Sequence, residues 1–335
     1  MTDYKHLKLI ASSNPHIRNN EDTHSLMLDV IIGLVPALVM SVLMFGARAL
    51  VAALVSVASA VFFEWLYRKL LKKPQTIGDL SAAVTGLLLA MVCPVTLPYW
   101  MLILGNFFAI FLVKQLYGGL GKNFLNPALA GRAALVACYA SQMTSWIAPG
   151  QKAPLLGTAD VVTAATPLAM MKGGVFAELT AQYSLKDMFI GFIGGSAGEV
   201  SSLMLLIGGI YLIVRKVISW HTPVAFIGTV AVLTLLFPQG NDAVTYMLYN
   251  VFGGGLMLGA FFMATDYVTS PVTKKGQLIY GVGCGLLTVF IRYFGSYPEG
   301  VCYSILVMNC CVWIIDQYTK PTRFGAVKEK EASKK

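Results

Sequence analysis

Few residues of this chain are equipped for chemistry, and they lie between long apolar runs. The stretch "DVVTAATPLAMMK" (160–172) carries hydroxyls at Thr163 and Thr166, a carboxylate at Asp160, and a proline directly after Thr166. Threonine followed by proline is a helix start: the hydroxyl accepts from a free N–H and proline fits the first turn. Lys172 then suits the helix end. The same geometry serves chemistry as well. Helix starts present unpaired N–H groups and a positive dipole end, so a phosphate ester on the Thr166 hydroxyl would sit where those donors point.

Other polar residues sit in or near apolar segments. Asn123 and Asn126 flank "FL" ahead of Pro127, where their amides either satisfy a broken backbone or bond the edge of an aromatic ring. Arg132 follows within the same apolar segment. An arginine inside a membrane is costly and calls for a carboxylate or a phosphate as partner. Glu64, Glu199 and Asp266 are the acidic counterparts and the candidates for ion coupling. Glu64 and Arg68 are four apart on one helical face, so a local ion pair is the plain reading. Glu199 ends the glycine-rich "GGSAGE" (194–199), where free backbone groups need partners. Asp266 stands beside Thr265, Thr269 and Ser270, an oxygen-rich set of the kind that coordinates sodium or carries protons. Asp29 and Asp316, near segment ends, read as solvated. Six cysteines at 93, 138, 284, 302, 310 and 311 show no metal-ligand spacing and read as small apolar residues. The four histidines (6, 16, 24, 221) fall in tails or a loop, which excludes a haem held between spans.

The elements that must position these groups are membrane spans. The chain has 335 residues, 56% hydrophobic and 12% charged, against about 45–50% and about 25% in ordinary soluble domains. Apolar blocks predict an all-α polytopic protein with about ten transmembrane helices, near 26–46, 50–67, 79–92, 98–117, 126–141, 188–214, 222–237, 243–264, 277–293 and 300–318. Several fall short of the ~20 residues a full crossing needs. The third stops at Cys93-Pro94, the fifth opens at Asn126-Pro127, and the sixth is interrupted by "GGSAGE". Interrupted spans are tolerated where backbone is buried in protein or lines a cavity. The runs "GGG" (253–255) and "GVGCG" (281–285) favour close helix packing.

Charge sets the orientation. Of the 25 lysines and arginines, nineteen fall in the ends and loops of one side, five on the other, and Arg132 within a span. Basic loops stay cytoplasmic, so both termini are predicted inside and the longest loop outside. The net charge of +9 therefore reflects topology, and nucleic acid is not an expected partner. The predicted organisation is a cytoplasmic segment (1–25) without the apolar core of a signal peptide, a first membrane half (26–141), an external loop (142–187), a second half (188–318) and a basic tail (319–335). The external loop has too few bulky apolar residues for a core of its own and is expected to lie over the membrane domain or against a partner.

"D-x-x-T-A-A-T", formed by Asp160, Thr163, Ala164, Ala165 and Thr166, resembles the signal at which a flavin transferase joins FMN to threonine through a phosphoester. Further stretches match in order: "SSNPHIRNN" (12–20), "NFLNPALAGRAAL" (123–135), "GGSAGEVSSL" (194–203), "MATDYVTSP" (263–271) and "YPEG" (297–300). Over nearly its whole length the chain resembles the D subunits of the Rnf ion-translocating ferredoxin:NAD oxidoreductases. It is more distantly similar to the B subunits of the sodium-translocating NADH:quinone reductases. Val161 replaces a common glycine of the attachment signal, and Tyr267 replaces the proline of "ATDPV". The resemblance implies two inverted five-helix halves like those of urea channels and residence in a bacterial or archaeal cytoplasmic membrane. It implies covalent FMN on Thr166 at the external face, with Asp160 and Thr163 in the attachment signal. A second, non-covalent flavin (riboflavin or FMN) near Asn123, Asn126 and Arg132 belongs to the same picture. So do an external flavin-carrying G subunit, membrane subunits A and E, and the NAD- and ferredoxin-side subunits B and C. Such a chain is one part of a multi-subunit translocase and is inactive alone.

A passive channel or secondary transporter is the alternative, since broken spans and buried carboxylates describe those proteins too. Internal similarity between 68–94 and 215–238 is weak, and both hairpins start on the same side, so it does not show inversion. A scaffold anchoring another subunit's flavin is a third reading; it predicts no cofactor on this chain.

Overall fold

The computed structural model describes residues 22–148, 150–155, 165–174, 176–240, 242–295 and 297–321. Apart from one isolated bridge residue, Ile147, its regular structure is helical. Helix α1 (Thr23–Phe45) turns into α2 (Ala47–Leu70) through Gly46, whose φ of 85° is open to glycine and costly for other residues. Helices α3 (Ser81–Val92), α4 (Tyr99–Gln115), α5 (Pro127–Cys138) and the short α6 (Ala140–Met143) follow. The second half of α4, Phe107–Gln115, is wound as a π-helix. Three short helices, α7 (Pro167–Lys172), α8 (Phe176–Gln182) and α9 (Leu185–Ile190), lead to α10 (Ser202–Val214) and α11 (His221–Leu236). Helices α12 (Ala243–Phe252) and α13 (Leu256–Met263) form one unit bent by 60° at the glycine run. Helices α14 (Lys274–Phe294) and α15 (Val301–Thr319) complete the described chain.

Every expected apolar block coincides with one of these helices or with the bent pair. Among the described residues, α1, α2, α14 and α15 are long and apolar enough to cross a membrane, as is the α12–α13 pair taken together. Helices α3, α4, α5, α10 and α11 are apolar and shorter. The sixth block is broken around "GGSAGE", as expected. Its first part is the separate α9, and residues 191–201 are non-helical before Ser201 caps α10 by accepting from Met204 N. Leu43, Leu54, Val214, Phe290 and Trp313 leave the helix faces exposed, as lipid contact requires.

Small residues set the central contact. Helices α1 and α10 cross at Gly33 and Gly208, each backbone lying where the other's Cβ would project. Phe262 closes over both positions. Tyr211 Oη donates to Asp29 Oδ1 (2.7 Å), and Arg215 Nη2 pairs with Asp29 Oδ2 (3.2 Å). The start of α1 thus meets the end of α10, and the helices run antiparallel. Asp29, expected to be solvated, is buried by this contact. On one side of the crossing α2 packs on α3 and α4, and α4 on α5. On the other, α11 packs on α12 and α14, and α14 on α15.

The described parts of the 142–187 segment pack against this bundle. Ile147 and Ala153 join Met44, Phe45, Ala49, Val95 and Ala197 in one cluster. Leu168, Met171, Leu179 and Tyr183 pack with Tyr246 and Tyr249 of α12 in another. Arg48, counted by sequence among loop charges, is buried and ties down a neighbouring turn. Its Nε donates to Val95 O (2.9 Å) and its Nη1 to Pro154 O (2.8 Å).

Candidate functional site

The cap predicted at Thr166-Pro167 is present. Thr166 has extended backbone angles, and its Oγ1 accepts from Ala169 N (3.2 Å) at the start of α7. Asp160 and Thr163 lie outside the described residues. Thr166 is only 6% exposed and lines a small cavity with Pro167, Leu168, Glu199 and Glu299. Gly195, which lines it, is half-buried, so the cavity reaches the surface there, and Ala165 next to Thr166 is exposed. A Cβ at Gly195 would meet nothing within 4 Å.

Beneath Thr166 lies a cluster of buried charges drawn from both halves of the chain. The loop 191–201 is stitched to the end of α3: Ala197 N donates to Cys93 O (3.1 Å) and Gly198 N to Met91 O (2.7 Å). Those bonds occupy carbonyls that the early stop at Cys93-Pro94 leaves free. They also place Glu199 over Gly255, in the break between α12 and α13, where only a residue without a side chain leaves room. Glu199 is 3% exposed; its Oε2 accepts from Ser196 Oγ (2.8 Å), and its Oε1 has no hydrogen-bond partner. Arg132, from α5, forms a buried ion pair with Glu299 of the α14–α15 loop. Arg292, counted by sequence as external, is buried and donates to Asn250 O (2.6 Å) and Gly253 O (3.3 Å). Burial first, and then the Glu299 carboxylate, holds the Tyr297 phenol above its usual range.

A second site opens at the other end of α3. A cleft there is lined by Ser81 and Thr85 of α3, Lys114 of α4, Asn123, Asn126 and Asp266, with Leu88, Phe261 and Phe262 as its apolar wall. Asn126 caps α5 through Ala128 N (3.1 Å), while its Nδ2 donates to Met263 O (3.3 Å) at the end of α13. Asn309 of α15 supports the same break. With its amide turned to satisfy its neighbours, its oxygen accepts from Asn126 N (3.1 Å) and its nitrogen donates to Thr269 O (3.1 Å). Asn123 differs: Nδ2 reaches Leu125 O (3.1 Å), and the buried Oδ1 has no partner. Asp266 accepts from Thr269 Oγ1 (3.0 Å). Tyr267, in the position of the family's proline, donates to Val217 O.

Glu64 keeps the expected i,i+4 ion pair with Arg68 and adds a closer partner. Its main cation is Lys114, with Nζ 2.8 Å from Oε2, whereas Arg68 Nε stays 3.8 Å from Oε1. Thr76 Oγ1 donates to Oε1 (2.6 Å), and Lys114 also reaches Ser81 Oγ (2.6 Å) at the cleft wall. Sequence reasoning missed Lys114, Glu299, Arg292 and Asn309. A single lysine in "FLVKQL" and the glutamate of "YPEG" were the available signals.

The structure therefore gathers Thr166, Glu199 and Arg132 at one site and Asn123, Asn126 and Asp266 at another, with Glu64 one residue behind the second. The family model described as NQR2, RnfD, RnfE matches residues 10–325. The D subunit of the sodium-translocating ferredoxin:NAD oxidoreductase complex of Acetobacterium woodii is 48% identical over 98% of this chain and 99% of its own length. The D subunit of the proton-translocating ferredoxin:NAD oxidoreductase complex of Clostridium ljungdahlii is 44% identical over 94% of this chain and 95% of its own. The D subunit of an ion-translocating oxidoreductase complex from Actinobacillus succinogenes is 38% identical over 94% and 97%. Identity at this level over the full length leaves one assignment: the chain belongs to the NQR2, RnfD, RnfE family.

Proposed function

We propose that this chain is the D subunit of an ion-translocating ferredoxin:NAD oxidoreductase complex and carries electrons through FMN esterified to Thr166. The observation that carries the reading is the position of the Thr166 hydroxyl. It lies within the attachment signal, on a cavity that reaches the surface at Gly195. A phosphoester on Thr166 has room there and a helix start beside it. Gly194, Gly195 and Gly254 line the cavity without side chains, and Thr166 opens α7. An isoalloxazine held there supplies the electron-carrying ring. Thr166 anchors it, and the buried charges beneath set the field it experiences. In this reading the Thr166 loop faces outward, both termini face the cytoplasm, and the membrane is the bacterial or archaeal cytoplasmic membrane. Subunits A, B, C, E and G complete the complex, and a flavin transferase matures this chain.

The cleft at the far end of α3 is the proposed place of a second, non-covalent flavin. Its apolar wall suits the ring, and Asn123 Oδ1 is a free acceptor for a ring N–H. Helix α3 runs from the cleft, which it lines with Ser81, Thr85 and Leu88, to the loop beneath Thr166, which bonds Met91 O and Cys93 O. The antiparallel α1–α10 crossing and the repeated packing order support two inverted five-helix halves. Glu64, Glu199 and Asp266 are the proposed contributors to sodium or proton coupling.

The test is fluorescence of the chain in a denaturing gel, with intact mass, after expression beside a flavin transferase. Wild type and Thr166→Ser carry an FMN phosphoester and glow; Thr166→Ala does neither. Colourless wild type from its own host would overturn the electron-carrier assignment.

A further inference from the structure

Glu199 is the one carboxylate of its cluster whose contacts are all uncharged. Glu299 has Arg132, and the Nη atoms of Arg292 donate to Asn250 and to Gly253 O, with no carboxylate in hydrogen-bond contact among the described residues. Glu199 receives a single hydroxyl, from Ser196; its buried Oε1 lies against Gly255 without a hydrogen-bond partner, and the residue lines a cavity shared with Thr166 and Glu299. A carboxylate buried without a cation is costly and takes up a proton instead. Negative charge added at Thr166, whether phosphate or electron, strengthens that tendency.

We propose that Glu199 is a redox-linked proton site serving the group on Thr166. An electron reaches the Thr166 site from a reduced one-electron carrier of the complex, a flavin or an iron–sulfur centre. With it, one proton from water at the Gly195 rim forms an O–H bond with Glu199 Oε1. When the electron leaves, that O–H bond breaks and the proton returns to water. One electron and one proton move together, and the buried cluster keeps its net charge. The charged and titratable groups facing Glu199 are Arg132 on α5, Cys93 after α3, Arg292 on α14, Glu299 and Tyr297 in the α14–α15 loop, and Cys302 on α15. This inference rests on the reading of Thr166 as a flavin tether.

The experiment uses the purified complex in two arms. In the first, the potential of the covalent flavin is titrated between about pH 6 and pH 9, at low and high sodium. One linked proton per electron makes each tenfold change in proton activity worth about 59 mV. Glu199→Gln removes that contribution. Ser196→Ala keeps it but moves the pH at which it sets in. An unchanged pH slope in Glu199→Gln overturns the proposal, and so does a slope that follows sodium and not pH. In the second arm, infrared difference spectra between high and low pH are recorded for wild type and Glu199→Gln, without reduction. The protonated-carboxyl band of Glu199 is expected in wild type and lost in Glu199→Gln. Its absence from wild type overturns the proton site. Its presence in a chain without flavin leaves the proton site standing and overturns only the electron-carrier reading. Normal subunit composition of the variant complexes separates these outcomes from misassembly.

Discussion

Asn126 caps the short helix α5 at the cleft, and Arg132 within that helix forms an ion pair beneath Thr166. Six residues at 1.5 Å each place them about 9 Å apart along the axis. Helix α5 is thus a strut between the two sites, and α3 is its neighbour in the same role. Because α5 starts within the protein, its first turn depends on the Asn126 side chain and its position on Arg132.

Among the described residues the Arg132–Glu299 pair has no other ion-pair partner, so removing one partner strands the other. Arg132→Gln is expected to lower stability by about 3–5 kcal/mol, the scale for an orphaned buried charge. The double variant Arg132→Gln with Glu299→Gln is expected to recover most of that loss. Thermal unfolding of the four proteins in detergent measures it. Equal losses in single and double variants would mean that packing, rather than the charge, holds this junction.

Lys114 makes a contrasting case. Glu64 keeps Thr76 and a second cation, Arg68 at 3.8 Å, when the lysine is removed. Lys114→Met is therefore expected to cost about 1–3 kcal/mol, less than Arg132→Gln. Adding Arg68→Gln should bring the larger loss. A single substitution at Lys114 as damaging as that at Arg132 would show that Arg68 cannot approach Glu64.

These pairs mark the limit of what sequence carries. Apolar blocks and Thr-Pro or Asn-Pro starts were legible because hydropathy and capping are local, and α5 and α7 begin where those signals put them. Arg48, Lys114 and Arg292 were not legible as buried. A long basic side chain near a span end has one composition whether it extends to water or turns inward. The partner of Arg132 stands 167 positions away. No periodicity connects residues at that separation; only the assembled bundle does. Glu199 was legible as a residue in a break, but its missing cation was not.

Asn123 and Asn126 are expected to separate structure from binding. Asn126→Ala removes a cap worth about 1 kcal/mol together with the bond to Met263 O, and should lower the unfolding temperature. Asn123→Ala removes one local bond and an unpartnered oxygen, and should leave the unfolding temperature nearly unchanged. If the cleft holds a flavin, Asn123→Ala should reduce the flavin released from denatured protein while leaving the gel fluorescence at Thr166 intact. Undiminished release would remove Asn123 from the site.

Sidedness has the simplest test, and the further chemistry depends on it. Glu178, on α8, is exposed on the segment that carries Thr166, and Lys72 is exposed in the turn after α2. Charge asymmetry puts the first outside and the second in the cytoplasm. Single cysteines at these positions, in a background with the exposed Cys138 and Cys310 replaced, should react differently with a membrane-impermeant maleimide. The cysteine at 178 should label in intact cells, and that at 72 only after permeabilisation. The reverse pattern would place Thr166 and Glu199 on the cytoplasmic side. A proton taken up by Glu199 would then come from the cytoplasm, and the cleft of Asn123 and Asp266 would open outward.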